Sequence, residues 1–191
     1  MAIDQTPHAQ LLERETAALL VLDLQAKLVP AMFDAQVVIR NARILLRLAE
    51  LLQIPRVLTA QYVKGLGPVV PEILEAAPGS APIEKTSFGS FGEPDFLRQL
   101  KLRTPNARSL LIAGVESHIC VMQTALGAME AGYLVHVAAD ATSSRTKENW
   151  EIGLNRMERA GAVISSTEMM VYELLGRSAT PEFKAILPLL K

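Results

Sequence analysis

One cysteine, one aspartate and one lysine are the residues of this sequence best suited to covalent chemistry. Cys120 is the single cysteine of the chain, and a thiol becomes a strong nucleophile once it is deprotonated. Asp23 directly follows the apolar run AALLVL, and a carboxylate in a dry cleft can accept a thiol proton. Lys85 lies in EKTSFG, where its ammonium group would hold a nearby carboxylate ionised and would lower the thiol pKa. If the three side chains meet, they predict nucleophilic catalysis.

Short apolar runs and longer amphipathic segments alternate along the chain and must position these side chains. The runs are almost continuously apolar, which is typical of strands buried on both faces of a parallel sheet. The segments between them show the 3.6-residue period of helices. The Gly- and Pro-rich segment 65–82 is predicted to be an active-site or interface loop. The predicted strands are 17–23, 56–60, 82–86, 109–114, 133–138 and 162–165, and the predicted helices are 35–53, 93–102, 117–131, 146–160 and 167–175.

The alternation favours an α/β fold, a three-layer Rossmann-like parallel sheet with strand order 3-2-1-4-5-6 and helices on both faces. In such a sheet, ligands bind outside the carboxyl ends of the strands, where the strand order reverses. Strands one and four are neighbours at that point. Asp23 ends strand one and Cys120 follows strand four, so this order predicts that the carboxylate and the thiol share one cleft. Unpaired N–H groups at the start of the following helix could receive an oxyanion.

Structural roles are the alternative interpretation of the same residues. A lone cysteine is more often a small buried hydrophobic residue than a nucleophile, and an aspartate at a strand end often only forms a turn. Taken alone, Lys85 is more often a solvated surface lysine. A catalytically idle binding or scaffold protein with this fold is therefore a rival hypothesis. A redox sensor is a third hypothesis. It is weakened because no second cysteine is present to resolve an oxidised thiol. His118 lies two residues before Cys120, too close along a helix to face it, so a supporting role is expected.

Length and charge indicate the class of protein and exclude several partners. The 191 residues predict a single domain over 1–191, with 1–15 as a flexible N-terminal tail. The net charge of −1 gives no reason to expect a nucleic acid or a membrane surface as partner, and no apolar run is long enough to span a bilayer. The single cysteine and the absence of a signal peptide predict a cytoplasmic protein. Apolar residues at 169–172 and in the final AILPLL favour a homo-oligomer.

Three segments, in this order, resemble the isochorismatase-like cysteine hydrolases: VLDLQ at 21–25, EKTSFG at 84–89 and GVESHICV at 114–121. QYVKGLGP at 61–68 and DATSSR at 140–145 are similar to the isochorismatase domain-containing subgroup. The resemblance extends from Ala17 to about Leu175. It implies the isochorismatase-like hydrolase fold and an Asp-Lys-Cys triad, in which Asp23 is the base, Lys85 the lysine and Cys120 the nucleophile.

The resemblance also implies details of the chemistry. The backbone N–H groups of Glu116 and Cys120 would form the oxyanion hole, and the Val115–Glu116 peptide bond would be cis. The segment 60–64 lacks the aspartate and paired histidines of metal-dependent nicotinamidases in this superfamily, so neither a metal nor a cofactor is expected. With Cys120 present, the expected substrate is a small molecule whose amide or related acyl-type C–N or C–O bond is cleaved through a thioester.

Polar and aromatic side chains near the predicted strand ends are candidates for the substrate pocket. Aromatic side chains in such places are as often part of the core, so both interpretations stay open. The expected ligand is small and uncharged or anionic, since the cleft offers one lysine and little other charge. The candidate pocket residues are Gln25, Phe33, Gln61, Tyr62, Phe88 and Phe91.

Overall fold

The computed structural model describes residues 11–190 of the chain. Its strands form one six-stranded sheet in the order β3-β2-β1-β4-β5-β6, and every neighbouring pair is parallel. The predicted strand order and parallel sheet are therefore confirmed. The strands are β1 Ala17–Leu22, β2 Arg56–Gln61, β3 Ile83–Lys85, β4 Ser109–Val115, β5 Leu134–Ser143 and β6 Val163–Ser165.

All five predicted helices are present, one of them divided in two, and three short helices that were not predicted lie at Val63–Leu66, Pro71–Ala76 and Pro181–Ile186. The segment 117–131 divides into a π-helical turn at Ser117–Val121, here called the cysteine turn, and a following α-helix. The loop predicted at 65–82 contains a short helix that begins at Pro71, a residue whose fixed φ favours the first helical position. Three 3₁₀ turns lie at Val29–Ala31, Ser90–Gly92 and Leu187–Leu189. The helices are α1 Ala35–Leu51, α2 Val63–Leu66, α3 Pro71–Ala76, α4 Phe96–Arg103, α5 Met122–Glu130, α6 Lys147–Arg159, α7 Thr167–Leu175 and α8 Pro181–Ile186.

Two hydrophobic clusters cover the two faces of the sheet. Alternate residues of β1 point to opposite faces, and all six are buried. Leu19 and Val21 pack in the cluster that contains buried residues of α1, α3, α7 and α8. Leu20 and Leu22 pack in the cluster that contains buried residues of α4, α5 and α6. The fold therefore has the three layers that the continuous apolar strands predicted.

A glycine lets β1 and β4 approach closely beside the site. Gly114 has φ +134°, and a Cβ atom built on it would lie 2.2 Å from the carbonyl oxygen of Leu22. The two residues are partners in the register of β1 with β4. A side chain at position 114 would therefore force the strands apart. The close approach brings the residues that follow each strand, Asp23 and Glu116, to the same edge of the sheet.

Only part of the predicted N-terminal tail lies within the described residues. Residues 1–10 of the tail predicted at 1–15 lie outside them. Leu12 is 4% exposed, and its N–H donates to the carboxylate of Glu173 at 3.0 Å. Across residues 11–190, no helix combines the length and apolar character needed to cross a membrane.

Candidate active site

Asp23 is the first residue after β1, and its backbone adopts the left-handed conformation, with φ 56°. The residue is completely buried, yet both carboxylate oxygens have partners. Oδ1 accepts a hydrogen bond from the hydroxyl of Thr59 at 2.7 Å, and Oδ2 accepts one from Nζ of Lys85 at 2.8 Å. Two neighbouring strands, β2 and β3, therefore fix the orientation of the carboxylate.

Lys85 ends β3, and its side chain is completely buried. Besides Asp23, its ammonium group donates to Oε1 of Gln61 at 2.6 Å and to the carbonyl oxygen of Phe88 at 3.0 Å. A weaker contact of 3.3 Å reaches the carbonyl oxygen of Ser87. An ammonium group has three donors, so each proton has an acceptor. The lysine predicted to accompany Asp23 therefore forms a buried, fully hydrogen-bonded ion pair with it.

Cys120 lies in the cysteine turn and is 3% exposed. Burial raises the pKa of its thiol to about 12, together with the negative charge of Asp23 and a hydrogen bond to that carboxylate. The positive charge of Lys85 lowers the pKa, as expected, but is outweighed. Hence the resting site holds a protonated thiol beside a carboxylate. The structure brings the three predicted residues together.

Glu116 forms the sharp turn between β4 and the cysteine turn. Its backbone is left-handed, with φ 59° and ψ 61°. None of the peptide bonds between residues 11 and 190 is cis, so the expected cis bond at Val115–Glu116 is wrong for this structure, and the left-handed residue makes the turn instead. The carbonyl oxygen of Glu116 accepts from the N–H groups of Ile119 at 2.9 Å and Val121 at 3.3 Å. Such π-helical turns are often found at functional sites.

The side chain of Glu116 is a feature of the site that the sequence did not single out. Oε1 lies 3.0 Å from Nε of Arg145, whereas Oε2 is buried and has no hydrogen-bond partner among the described residues. Nδ1 of His118 lies 3.6 Å from Oε2, beyond hydrogen-bond distance, and is 3.0 Å from Oγ of Ser144. The available signal was the position of Glu116 in GVESHICV and of Arg145 in DATSSR, because both residues lie just after the ends of the neighbouring strands β4 and β5.

The two glutamines predicted to line the pocket form hydrogen bonds inside the protein that lead to Lys85. Gln25 is completely buried, and its Nε2 donates to the carbonyl oxygens of Gln61 at 2.9 Å and Gly67 at 2.7 Å. Its Oε1 accepts from the N–H of Gln61 at 2.7 Å. Besides accepting from Lys85, the Gln61 side chain donates to the carbonyl oxygen of Thr86 at 2.7 Å. Gln61 therefore positions the lysine, and Gln25 positions Gln61.

Three of the four predicted pocket aromatics are exposed: Phe33 is 42%, Tyr62 53% and Phe88 58% exposed. Each is tied through its backbone to a residue of the site. The N–H of Tyr62 donates to the carbonyl oxygen of Lys85 at 2.8 Å, and that of Phe33 donates to the carbonyl oxygen of Ser144 at 3.0 Å. The carbonyl oxygen of Phe88 accepts from Lys85. Tyr62 and Phe88 therefore extend from segments that contact Lys85 of the triad. Phe33 instead extends from a segment that contacts the residue after β5, and its ring centroid lies 5.9 Å from that of Trp150.

Phe91, the fourth, is partly buried and packs against the core. Its ring centroid lies 5.2 Å from that of Phe96 and 6.2 Å from that of Tyr133, and it adjoins the cluster beneath α4, α5 and α6. A Cβ on Gly127 of α5 would lie 2.7 Å from its Cβ. These contacts assign it a packing role, the alternative left open for aromatics near strand ends.

Within residues 11–190, no group of three or more His, Cys, Asp or Glu side chains is arranged to hold a metal ion. Gln61, at the end of β2, donates and accepts within the protein through both polar atoms of its side chain. The following residue, Tyr62, is exposed. No donor set for a metal therefore accompanies the triad in the part of the chain described.

Known proteins are similar to this chain over most of its length. Curated relatives include isochorismatase domain-containing protein 2 of Bos taurus, 39% identical over 92% of this chain and 83% of the relative. Another is the secreted isochorismatase effector Isc1 of Phytophthora sojae, 37% identical over 92% of this chain and 85% of the relative. The relatives thus match nearly the whole of this chain.

Solved structures with the same fold include a MAR1 ribonuclease from Caenorhabditis elegans, with a TM-score of 0.87 and 34% identity, covering 95% of this chain and 92% of that one. The YcaC gene product of Escherichia coli, described as an octameric hydrolase of unknown specificity, has a TM-score of 0.84 and 27% identity. It covers 97% of this chain and 89% of that one. The Isochorismatase domain family itself matches residues 17–169, so this chain belongs to the isochorismatase domain family of hydrolases.

Proposed function

We propose that this chain is a cysteine-dependent hydrolase that cleaves an amide or related acyl-type C–N or C–O bond of a small molecule. The observation that carries the proposal is the position of Asp23, which interacts with both the Cys120 thiol and the Lys85 ammonium group. A base beside a thiol is the arrangement that activates a sulfur nucleophile. The lysine holds the base in place.

In the proposed reaction, Asp23 accepts the proton of Cys120 as the sulfur attacks the carbonyl carbon of the substrate. The new C–S bond produces a tetrahedral oxyanion, which the backbone N–H groups of Glu116 and Cys120 receive. When the intermediate collapses, the C–N or C–O bond breaks and Asp23 returns the proton to the leaving amine or alcohol. Asp23 then deprotonates a water molecule that attacks the thioester, which releases the acid and restores the thiol.

The ion pair explains how a thiol with a pKa of about 12 becomes a nucleophile. Transfer of its proton to Asp23 moves one negative charge from the carboxylate to the sulfur. Lys85, whose charge favours the thiolate, remains positive throughout, so the buried group of three keeps the same net charge. The proton transfer therefore creates no additional buried charge, which would be costly in a desolvated site.

Access to the buried thiol requires side chains to move, since Cys120 is 3% exposed and Asp23 is fully buried. Phe33, Tyr62 and Phe88 are the exposed aromatics tied to the site. We infer that they border the entrance and contact the substrate. Gln25, Gln61 and Phe91, which are engaged inside the protein, are left out of the proposed pocket lining.

A catalytically idle binding protein is the second candidate, and the closed thiol with its raised pKa favours it. The two candidates are separated by incubating the protein with small amides, ureido compounds and esters, followed by mass measurement of the intact chain. An acyl adduct on Cys120, and turnover that disappears in Cys120→Ala, would support hydrolysis. Turnover retained in Cys120→Ala would contradict the covalent mechanism. If no substrate is turned over and the parent carries no adduct, the idle alternative is favoured.

Other proposed properties concern partners and location. Met169 and Tyr172 of α7 are 53% and 46% exposed, and we expect them to bury against another copy in a homo-oligomer, which light scattering would detect.

A ribonuclease is among the structural neighbours, but the net charge of −1 and the burial of Lys85 do not favour RNA, and we expect no RNA cleavage. One cysteine fits a reducing compartment, so a cytoplasmic location is proposed, although one relative is secreted.

A further inference from the structure

The Glu116 side chain has an unused acceptor beside the thiol. Its exposed fraction is 9%, so the carboxylate has little access to water. Arg145 engages only Oε1, and Oε2 has no hydrogen-bond partner among the described residues. A buried, charged oxygen without a donor is unfavourable and calls for an explanation in a native protein.

The nearest histidine does not supply the missing donor. Nδ1 of His118 is 3.6 Å from Oε2 and lies 3.0 Å from the hydroxyl of Ser144. Arg145 contacts the carboxylate through Nε, and its own side chain is 56% exposed. It thus orients the carboxylate while leaving one oxygen unoccupied. Arg145 is therefore a positioning residue.

The location of this oxygen connects it with the substrate. Glu116 starts the turn that carries Cys120, and its carbonyl oxygen accepts two hydrogen bonds of that turn. Its negative charge also adds a contribution, the smallest of several, to the raised pKa of the thiol, so the carboxylate lies within electrostatic reach of the sulfur. A substrate whose carbonyl carbon reaches the thiol would consequently pass close to Oε2.

We infer that Oε2 of Glu116 accepts a hydrogen bond from an N–H group next to the scissile carbonyl, so that the enzyme selects carboxamide or ureido compounds over esters. A carboxylate only accepts hydrogen bonds. An N–H beside the carbonyl satisfies it, whereas an ester oxygen leaves it unpaired and adds repulsion between lone pairs. The inference rests on the proposed function, because it concerns the substrate of the same site.

The test uses transfer of a carbonyl group from an activated reagent to the single thiol, which does not require the adduct to be hydrolysed. p-Nitrophenyl N-methylcarbamate (the amide) and p-nitrophenyl methyl carbonate (the ester) are nearly identical in shape, are both attacked at the carbonyl carbon with release of p-nitrophenol, and differ by N–H against O beside that carbonyl. Their rates of reaction with the protein are measured by intact mass and each is divided by its rate with free glutathione. In the parent, we expect the normalised ratio to favour the amide by roughly tenfold, the effect of one hydrogen bond to a charged group.

The variant Glu116→Gln should bring this ratio close to one, because the charged acceptor is lost while the shape is kept. Glu151→Gln is the matched control, since Glu151 is an exposed carboxylate of α6 that pairs with Lys147, and it should keep the parent ratio. A ratio near one in the parent, or an equal preference in the parent and Glu116→Gln, would overturn the inference. The parent result alone suffices if Glu116→Gln does not fold.

Failure of the inference and failure of the proposed function are distinguishable. Equal normalised rates with the two reagents, accompanied by an acyl adduct and turnover, would reject the role of Glu116 and leave hydrolysis standing. A tenfold preference without turnover of any amide, ureido compound or ester would support the N–H acceptor and remove support for the hydrolase.

Discussion

The ammonium group of Lys85 lies 2.8 Å from Oδ2 of Asp23, and neither side chain is exposed to solvent. Two buried charges stabilise one another only while both are present, because each alone would carry an uncompensated desolvation cost. The other acceptors of Lys85 are the side chain of Gln61 and backbone carbonyls. The pair therefore connects the stability of the fold with the orientation of the proposed base.

Replacement of the lysine should destabilise the protein strongly. We expect Lys85→Met to lower the free energy of unfolding by about 3–5 kcal/mol, because it leaves the Asp23 charge buried without its partner. Urea unfolding followed by circular dichroism measures the change. Lys27→Met is a control, since that ammonium group forms an exposed hydrogen bond to Gly65, and it should shift stability by about 0.5 kcal/mol or less. Equal effects of the two substitutions would show that the buried pair has no special importance.

Neutralising the base should make the thiol more acidic. The carboxylate of Asp23 raises the thiol pKa through its charge and through a hydrogen bond, and Lys85 lowers it. Asp23→Asn should therefore bring the pKa down from about 12, while activity is lost with the base. The ultraviolet absorbance of the thiolate follows the titration, and Cys120→Ala supplies the background. A thiol with the same pKa in parent and Asp23→Asn would mean that the two groups do not interact.

Acid should destabilise the protein partly through His136. This residue of β5 is 2% exposed, and its Nδ1 has no hydrogen-bond partner among residues 11–190. Burial lowers its pKa, and the charge of Glu173 acts in the opposite direction. The unfolded chain therefore takes up the proton first, and stability should fall as pH drops below about 6.5. In His136→Leu, the free energy of unfolding should vary less over this range. Parallel pH dependences for the two proteins would contradict this.

Gly153 of α6 tests the rigidity of the cysteine turn. Alanine normally stabilises the interior of a helix by about 1 kcal/mol relative to glycine. Here a Cβ would lie 3.0 Å from backbone atoms of His118 and Ser117. Because the contact is with backbone, no side-chain rotation can relieve the crowding. We expect Gly153→Ala to destabilise the protein and to change the alkylation rate of Cys120. A higher urea midpoint with an unchanged alkylation rate would show that the turn yields without consequence.

The sheet and the meeting of Asp23 with Cys120 could be predicted because their signals are local, whereas Lys85 was identified by the family resemblance. Continuous apolar runs such as that of β1 identify strands buried on both faces, and the residue after each strand lies at the shared carboxyl edge. The helix α3 was missed because only Ile73 among its six residues is buried, which gives no amphipathic period. The division between the cysteine turn and α5 was missed because apolar spacing does not separate π from α geometry.

The less predictable parts of the site depend on side-chain direction. Gln25 and Phe91 were both predicted to line the pocket, yet Gln25 bridges the end of β2 and Gly67, and Phe91 packs on Phe96. The contact of Glu116 with Arg145 joins segments after two different strands, and nothing in either segment alone indicates it. Side-chain contacts of this kind depend on how all the loops pack together, which local sequence patterns do not determine.

Because Cys120 is the sole thiol and is almost closed off from solvent, a thiol-specific dye can attach only when the surrounding segments separate. Provided that the dye reacts more slowly than the segments close again, the labelling rate is proportional to the population of the opened form. Because this one sulfur atom is buried, labelling of the unmodified protein measures the fraction of molecules that a substrate can enter.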